Sequence, residues 1–399
     1  MAQDMSLNKS DLSKLAGATR LVAAGREYRK HGFVNPPVYH GSTVLFDTAE
    51  ELLAYDRPFV YGRRGTPTSR AVEQAVAALE GGYAAKVTPS GLAAISTALL
   101  AFLKAGDHLL MTDAVYFPAR HFCDTLLAGL GVETTYYDPH CGGAIAALIR
   151  PNTRIVYCES PGSQTMDVQD VPAIAAAAHE RGCIVILDNT WSSGHYFKAF
   201  DHGCDVSLQA ATKYLVGHAD AMLGFVTCNR TTWPAFKKAY EAMGQFAGPD
   251  DMNLALRGLR TLDVRLERHM KNAIRIAEWL RQRPEVDTVL YPALSNSPGH
   301  EIWKRDFKGA TGLFAVILKP VSQERVSLFL NGLSLFGIGE SWGGYESLCI
   351  PCSVHRTVAT GDTAGSPETG PLLRFHIGLE DPGDLIADLM EGFRAFAQA

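Results

Sequence analysis

Three short segments carry side chains whose types and positions could do chemistry together. Lys213 closes the run DVSLQAATK, Asp188 closes CIVILD, and Pro89-Ser90-Gly91-Leu92 interrupts AAKVTPSGLAAISTALL. A lysine at the rim of an apolar strand is either a surface charge or a buried amine. A buried amine has a lowered pKa and attacks carbonyl carbons. An acid directly after an apolar run sits where burial is expected and a positive partner is wanted, unless it merely caps a turn or a helix. A small-residue turn from strand to helix offers free backbone N–H groups and a helix N-terminus, which suit a phosphate, although many such turns are plain connections. The turn is neither G-x-G-x-x-G nor a P-loop, so neither a dinucleotide fold nor an NTPase is indicated.

Together the three make one set. A phosphate anchor, a carboxylate and an amine are what pyridoxal phosphate requires: the acid keeps the pyridine nitrogen protonated, and the lysine bonds the aldehyde carbon. No metal site is expected. Cys349-Ile-Pro-Cys352 forms C-x-x-C with His355 just after it, but no second pair of ligands follows at matching spacing. The eight cysteines (Cys123, Cys141, Cys158, Cys183, Cys204, Cys228, Cys349 and Cys352) read as free thiols of a reducing compartment.

Strand ends of a parallel sheet would position such a set, because ligands there bind beyond the carboxyl ends. From about residue 70 the chain alternates helical and strand patterns. AVEQAVAALE reads as a helix capped by Ser69 and stopped by Gly81-Gly82, followed by a strand at AAKVT and a helix after the Pro-Ser-Gly turn. HLLMTD, VETTYYD, TRIVYCESP, CIVILDNT and DVSLQAATK read as strands, with helices at ARHFCDTLLAGLG and PAIAAAAHERG. Continuous apolar strands separated by helices predict an α/β fold, a mostly parallel sheet covered by helices on both faces. Residues 65–256 would form this large domain. Residues 1–64, with Pro36-Pro37 and little periodicity, would form an arm against a neighbouring subunit. Residues 257–399 would form a smaller α+β domain that opens on the charged helix GLRTLDVRLERHMKNAIRIAEWLRQRP, ends it at Pro284, and places strands near GLFAVILK and LLRFHIGL.

Bulk composition narrows the partners. The chain has 399 residues, 37 basic and 42 acidic, for a formal charge of −5, and 47% of it is apolar. The mild acidity argues against nucleic acid, and no apolar run approaches the roughly 20 residues of a membrane span. The opening MAQDMSLNKSDLSK is neither a secretory nor a transit signal, so a cytoplasmic protein is expected and the sequons at Asn8 and Asn229 carry no weight.

Longer motifs then become recognisable: YGRRGTPT (Tyr61–Thr68), LDNTW (Leu187–Trp191), QAATKYLVGHADAMLG (Gln209–Gly224), SWGGYESL (Ser341–Leu348) and RFHIGLED (Arg374–Asp381). In these the chain resembles the Cys/Met-metabolism family of pyridoxal-phosphate enzymes, of fold type I. The resemblance implies that Lys213 holds the cofactor, Asp188 meets its ring nitrogen, and Tyr116 stacks on the ring. Gly91 and Leu92 would give backbone amides, and Thr212 a hydroxyl, to the phosphate. Tyr61 and Arg63 would reach it from a neighbouring subunit, making a homo-oligomer, a tetramer built from dimers, with shared sites. Arg374 would grip the substrate α-carboxylate, with Glu340, Ser341, Trp342 and Tyr61 beside it. The implied reaction is β-elimination from L-cystathionine, cleaving a carbon–sulfur bond to give homocysteine, pyruvate and ammonia in methionine metabolism. Ala210 stands where the family often has Ser. Glu340 resembles γ-acting relatives while Trp342 resembles β-lyases, so γ-elimination on the same fold is the alternative. A non-catalytic α/β regulator is the remote one.

Overall fold

The structure, a computed structural model, describes residues 14–28, 31–358 and 370–397. The opening residues and the Asn8 sequon lie outside the described residues. Seven strands form the main sheet: β1 (Ala84–Thr88), β2 (His108–Thr112), β3 (Glu133–Tyr137), β4 (Thr153–Glu159), β5 (Ile184–Asp188), β6 (Val206–Gln209) and β7 (Gly224–Cys228), in the order β1-β7-β6-β5-β4-β2-β3. The pairs β2–β3, β2–β4, β4–β5 and β5–β6 are parallel, while β7 runs antiparallel between β1 and β6.

Side-chain alternation explains why the sheet is covered on both sides. Ile155, Tyr157 and Ile186 pack into one apolar cluster with the Gly91–Phe102 helix, whereas Val156, Cys158, Val185 and Leu187 pack into another with the Val171–His179 helix. Each fully buried aliphatic side chain contributes roughly 1.5–3 kcal/mol, so a strand apolar on both faces is stable only when both are covered. Among the described residues a second sheet has four antiparallel strands in the order β10 (Leu348–Cys352), β11 (Leu372–His376), β9 (Leu313–Leu318) and β8 (Val286–Leu290). No helix among the described residues is long and apolar enough to cross a membrane.

Several local expectations change. The first large-domain helix spans Pro67–Glu80 and is capped by Thr66, with Ser69 at its third position completing a reciprocal box: Ser69 N donates to Thr66 Oγ1 at 3.2 Å and Thr66 N to Ser69 Oγ at 2.9 Å. The DVSLQAATK strand stops at Gln209, because Ala210 N bonds Thr190 Oγ1 rather than a neighbouring strand. The long charged helix starts at Leu262 rather than Gly258, which belongs to a separate helix, Pro249–Leu259, and it ends at Leu280, before Pro284. The expected helix at ARHFCDTLLAGLG contains a wider turn over Cys123–Leu127. Within residues 1–64, the Gly17–Ala23 helix packs on the chain's own body: Leu21 is buried, and Arg20 Nη1 donates to Ala78 O at 3.2 Å.

β1 also carries a lysine that faces inward. Lys86 Nζ lies 3.2 Å from both carboxylate oxygens of Glu73, and the two side chains are only 3% and 4% exposed. Removing one partner strands the other charge in the interior. Glu73→Ala is therefore expected to lower stability by about 3 kcal/mol, and the double change Glu73→Leu/Lys86→Met by much less, in chemical denaturation.

Candidate active site

The carboxyl ends of the strands gather the chemistry. Asp188 is the last residue of β5 and pairs in register with Glu159, the last of β4. Burial pushes both carboxyls above the ordinary carboxylate range, Asp188 to about 6, and the charge of Asp188 raises Glu159 further. Asp188 Oδ1 accepts from Thr190 N at 3.0 Å and Thr190 Oγ1 at 2.5 Å, and Glu159 Oε2 accepts from Tyr116 N at 2.9 Å. Among the described residues no basic side chain forms an ion pair with either acid. A ligand bearing a cationic N–H would supply what Asp188 lacks.

Lys213 follows the tight turn beyond β6. Its Nζ lies 2.6 Å from Ser341 Oγ and 5.3 Å from the centre of the Trp342 ring. Burial, with help from Arg374 and against Glu340, lowers its pKa to about 8. The covering loop needs unusual backbone: Ser341 has φ 84° and Gly343 φ 89°. A Cβ at Gly343 would stand 2.7 Å from Tyr214 N and 2.8 Å from Lys213 C, so only glycine lets the loop lie this close. Arg374, in the middle of β11, donates from Nη2 to Ser341 O at 3.2 Å, and the same nitrogen is 3.9 Å from Glu340 Oε2. The Glu340 side chain itself is 93% exposed.

The Pro89-Ser90-Gly91-Leu92 turn ends β1 at the same edge. Ser90 caps the Gly91–Phe102 helix by accepting from Ala93 N at 3.0 Å, which leaves the amides of Gly91 and Leu92 without intrahelical acceptors. A Cβ at Gly91 would lie 2.4 Å from Ala210 Cβ, so this turn and the Lys213 turn touch. The Thr212 hydroxyl is occupied locally: it donates to Leu223 O at 3.1 Å and accepts from Leu223 N at 3.0 Å. Tyr116, 44% exposed, stands at the start of the Phe117–Phe122 helix. Its phenol is held above its usual pKa by burial, then by Glu159 and Glu340, against Arg374, which favours a neutral ring. Amides, cation-seeking acid and amine are thus within one cradle, and these residues fit pyridoxal phosphate.

Tyr61 and Arg63 stand apart. Arg63 Nη1 donates to Glu241 O at 3.2 Å and its guanidinium is 5.9 Å from the Tyr61 ring. No described contact joins either residue to Lys213, Asp188 or Gly91. The sequence reading passed over Glu159 and Thr190, although Glu159 ends TRIVYCE as Asp188 ends CIVILD and carries the same signal. The eight cysteines are free thiols, Cys349 and Cys352 lie on β10, and His355 packs on Phe117 with ring centroids 4.7 Å apart. Asn229 directly follows β7, and its Nδ2 donates to Asp205 Oδ1 at 2.8 Å.

A model of the Cys/Met metabolism PLP-dependent enzymes matches residues 18–394. A relative from Rhizobium johnstonii is 47% identical over 395 residues, covering 97% of this chain and 98% of that one. The cystathionine β-lyase of Escherichia coli is 45% identical over 384 residues, covering 94% and 97%. The crystal structure of metB from Corynebacterium glutamicum superposes with a TM-score of 0.88 at 33% identity, covering 96% of this chain and 99% of that one.

Two outcomes follow from the Lys213 geometry. In the cofactor-free chain, labelling of Lys213 by an amine-reactive reagent should rise through a midpoint near pH 8, since the lowered pKa frees the amine earlier than for an exposed lysine. Gly343→Ala should push the covering loop off Lys213 and reduce kcat by about a hundredfold, measured at saturating substrate.

Proposed function

Because the chain belongs to the Cys/Met metabolism PLP-dependent enzymes, we propose that it is a cystathionine β-lyase, cleaving L-cystathionine with water to homocysteine, pyruvate and ammonia. The observation that carries the reading is the Lys213 amine, desolvated, bonded to Ser341 and set beside the Asp188 and Gly91 cradle. Full-length similarity to cystathionine β-lyases supports the substrate.

Bound pyridoxal phosphate supplies an electron sink for charge released at the substrate Cα. Lys213 would hold its aldehyde carbon, Asp188 its ring nitrogen, the Gly91 and Leu92 amides its phosphate, and Tyr116 the ring face. Once the substrate amine has taken its place, Lys213 is a free amine that removes the Cα proton. A pKa lowered to about 8 keeps a useful share of it unprotonated near neutrality. The same ammonium then gives its proton to the departing sulfur at Cβ, so the proton balance closes on one side chain. Ser341 Oγ holds the amine in line for both transfers. Arg374 presents planar donors to the α-carboxylate, and its bond to Ser341 O ties carboxylate grip and base to one loop.

Glu340 points to water rather than toward the Lys213 amine, and Trp342 covers that amine. Similarity to several cystathionine β-lyases supports β-elimination over γ-elimination. Tyr61 and Arg63 fit the reading as groups offered to a neighbouring copy, which makes the working form a homo-oligomer; we place it as a tetramer built from two dimers, in the cytoplasm. Residues 1–64 serve as the arm, 65–256 as the cofactor domain and 257–399 as the domain that completes the substrate site.

The keto acid decides the reaction: incubation with L-cystathionine is expected to yield pyruvate, and 2-oxobutyrate would replace the β reading with the γ one. Lys213→Ala should abolish turnover and the visible absorbance of the bound cofactor, while Arg374→Ala should mainly raise KM, by about a hundredfold.

A further inference from the structure

The residue after Lys213 has surroundings that the chemistry above does not use. Tyr214 is fully buried, with ring centroids 5.4 Å from Trp342, 5.3 Å from His269 and 5.7 Å from His376; the two histidines are themselves 5.3 Å apart. His376 stands two residues beyond Arg374 on β11, so both side chains leave the same face of that strand. His269 comes from the Leu262–Leu280 helix.

Each imidazole has committed one nitrogen. His269 Nδ1 is 2.7 Å from Ile377 O, and His376 Nδ1 is 3.0 Å from Glu346 O. A carbonyl only accepts, so Nδ1 carries the proton in both rings and each Nε2 is left as a bare acceptor. Among the described residues neither Nε2 has a hydrogen-bond partner, while the Tyr214 hydroxyl faces that of Thr311 and the backbone of Gly312 and Leu313. Burial favours the neutral rings: it lowers His269 to about 4, with Arg265 adding to the effect, and takes His376 well below its ordinary range, with His269, Arg374 and Lys213 adding to it. Two buried acceptors on adjacent rings have a common solution, since one water molecule donates twice.

We propose that His269 and His376 hold one internal water, and that this node positions Lys213 by fixing the Tyr214 ring packed against both histidines and the Trp342 ring above the amine. The two histidines are positioning residues that never touch the substrate. Their effect on turnover rests on the reading of Lys213 as the proton-transferring base.

A high-resolution crystal structure of the holoenzyme reads the node directly. A water within hydrogen-bond distance of both Nε2 atoms is expected, and a dry site overturns the proposal. H376F keeps ring volume but removes one acceptor. It is expected to lower kcat about tenfold with little change in KM, and to move the acidic limb of the kcat pH profile upward. The sign follows from burial: a looser Trp342 readmits water to Lys213 and lets its pKa climb back toward that of an exposed lysine. The charged groups facing Lys213, Arg374 from β11 and Glu340 from the covering loop, are unchanged in this variant. H376Q, which retains an acceptor, should restore the limb. If H376F does not fold, H269F removes the other acceptor from the same node and should give the same sign. A loss of thermal stability with an unmoved limb would make the histidines structural only and overturn the proposal. Failure of the wild type to cleave cystathionine would sink the substrate reading alone, because the water and the pH midpoint of Lys213 labelling in the cofactor-free chain, expected to rise in H376F, test the node without it.

Discussion

Two carboxylates buried face to face at the ends of β4 and β5 set the terms for everything around them. Glu159 and Asp188 are register partners, desolvated together, with no basic side chain paired to either among the described residues. Such a pair does not ionise twice. Desolvation raises both carboxyls, and the charge of Asp188 raises Glu159 further. Thr190 meets that charge with its amide and hydroxyl, and its oxygen also takes Ala210 N from the turn leading to Lys213. The acid and the amine are therefore linked through one threonine.

The second organising contact is the approach of the Glu340–Gly344 loop to Lys213. It uses a glycine where any Cβ would strike backbone, and a serine held in a left-handed conformation rare for its type. A serine so held carries strain, which its surroundings must offset. What the strain achieves is local: Ser341 Oγ on the amine and Ser341 O on Arg374 come from one residue.

Much of this was legible beforehand, and the reasons differ by residue. The fold was readable because β4 and β5 are apolar on both faces, and only a sheet covered twice satisfies that pattern. Asp188 and Lys213 stood out as charges closing apolar runs. Glu159 carried the same mark, but it lies inside TRIVYCESP, which reads as a strand running past it rather than ending on it. Ser69 looked like a cap since it precedes the apolar periodicity, but Pro67 starts the helix one turn earlier and leaves that task to Thr66. β7 and its reversed direction left no sequence signal, since an antiparallel strand flanked by two neighbours is as apolar as a parallel one. The left-handed backbone at Ser341 was equally silent, being imposed by distant contacts.

One last feature joins the two sheets mechanically. Arg265, near the start of the Leu262–Leu280 helix, is buried and donates to Tyr214 O at 2.7 Å, Leu215 O at 3.4 Å and Gly258 O at 2.7 Å. Gly217 makes room for it, since a Cβ there would fall 2.0 Å from the guanidinium. The segment just after Lys213 is thereby riveted to the helix that leads into the second sheet. Rotation of that helix would strip three interior carbonyls of their donors, so the joint resists torsion at the lysine itself. Any opening or closing of the molecule must bend elsewhere, leaving the proton-transferring amine as the still point of the motion.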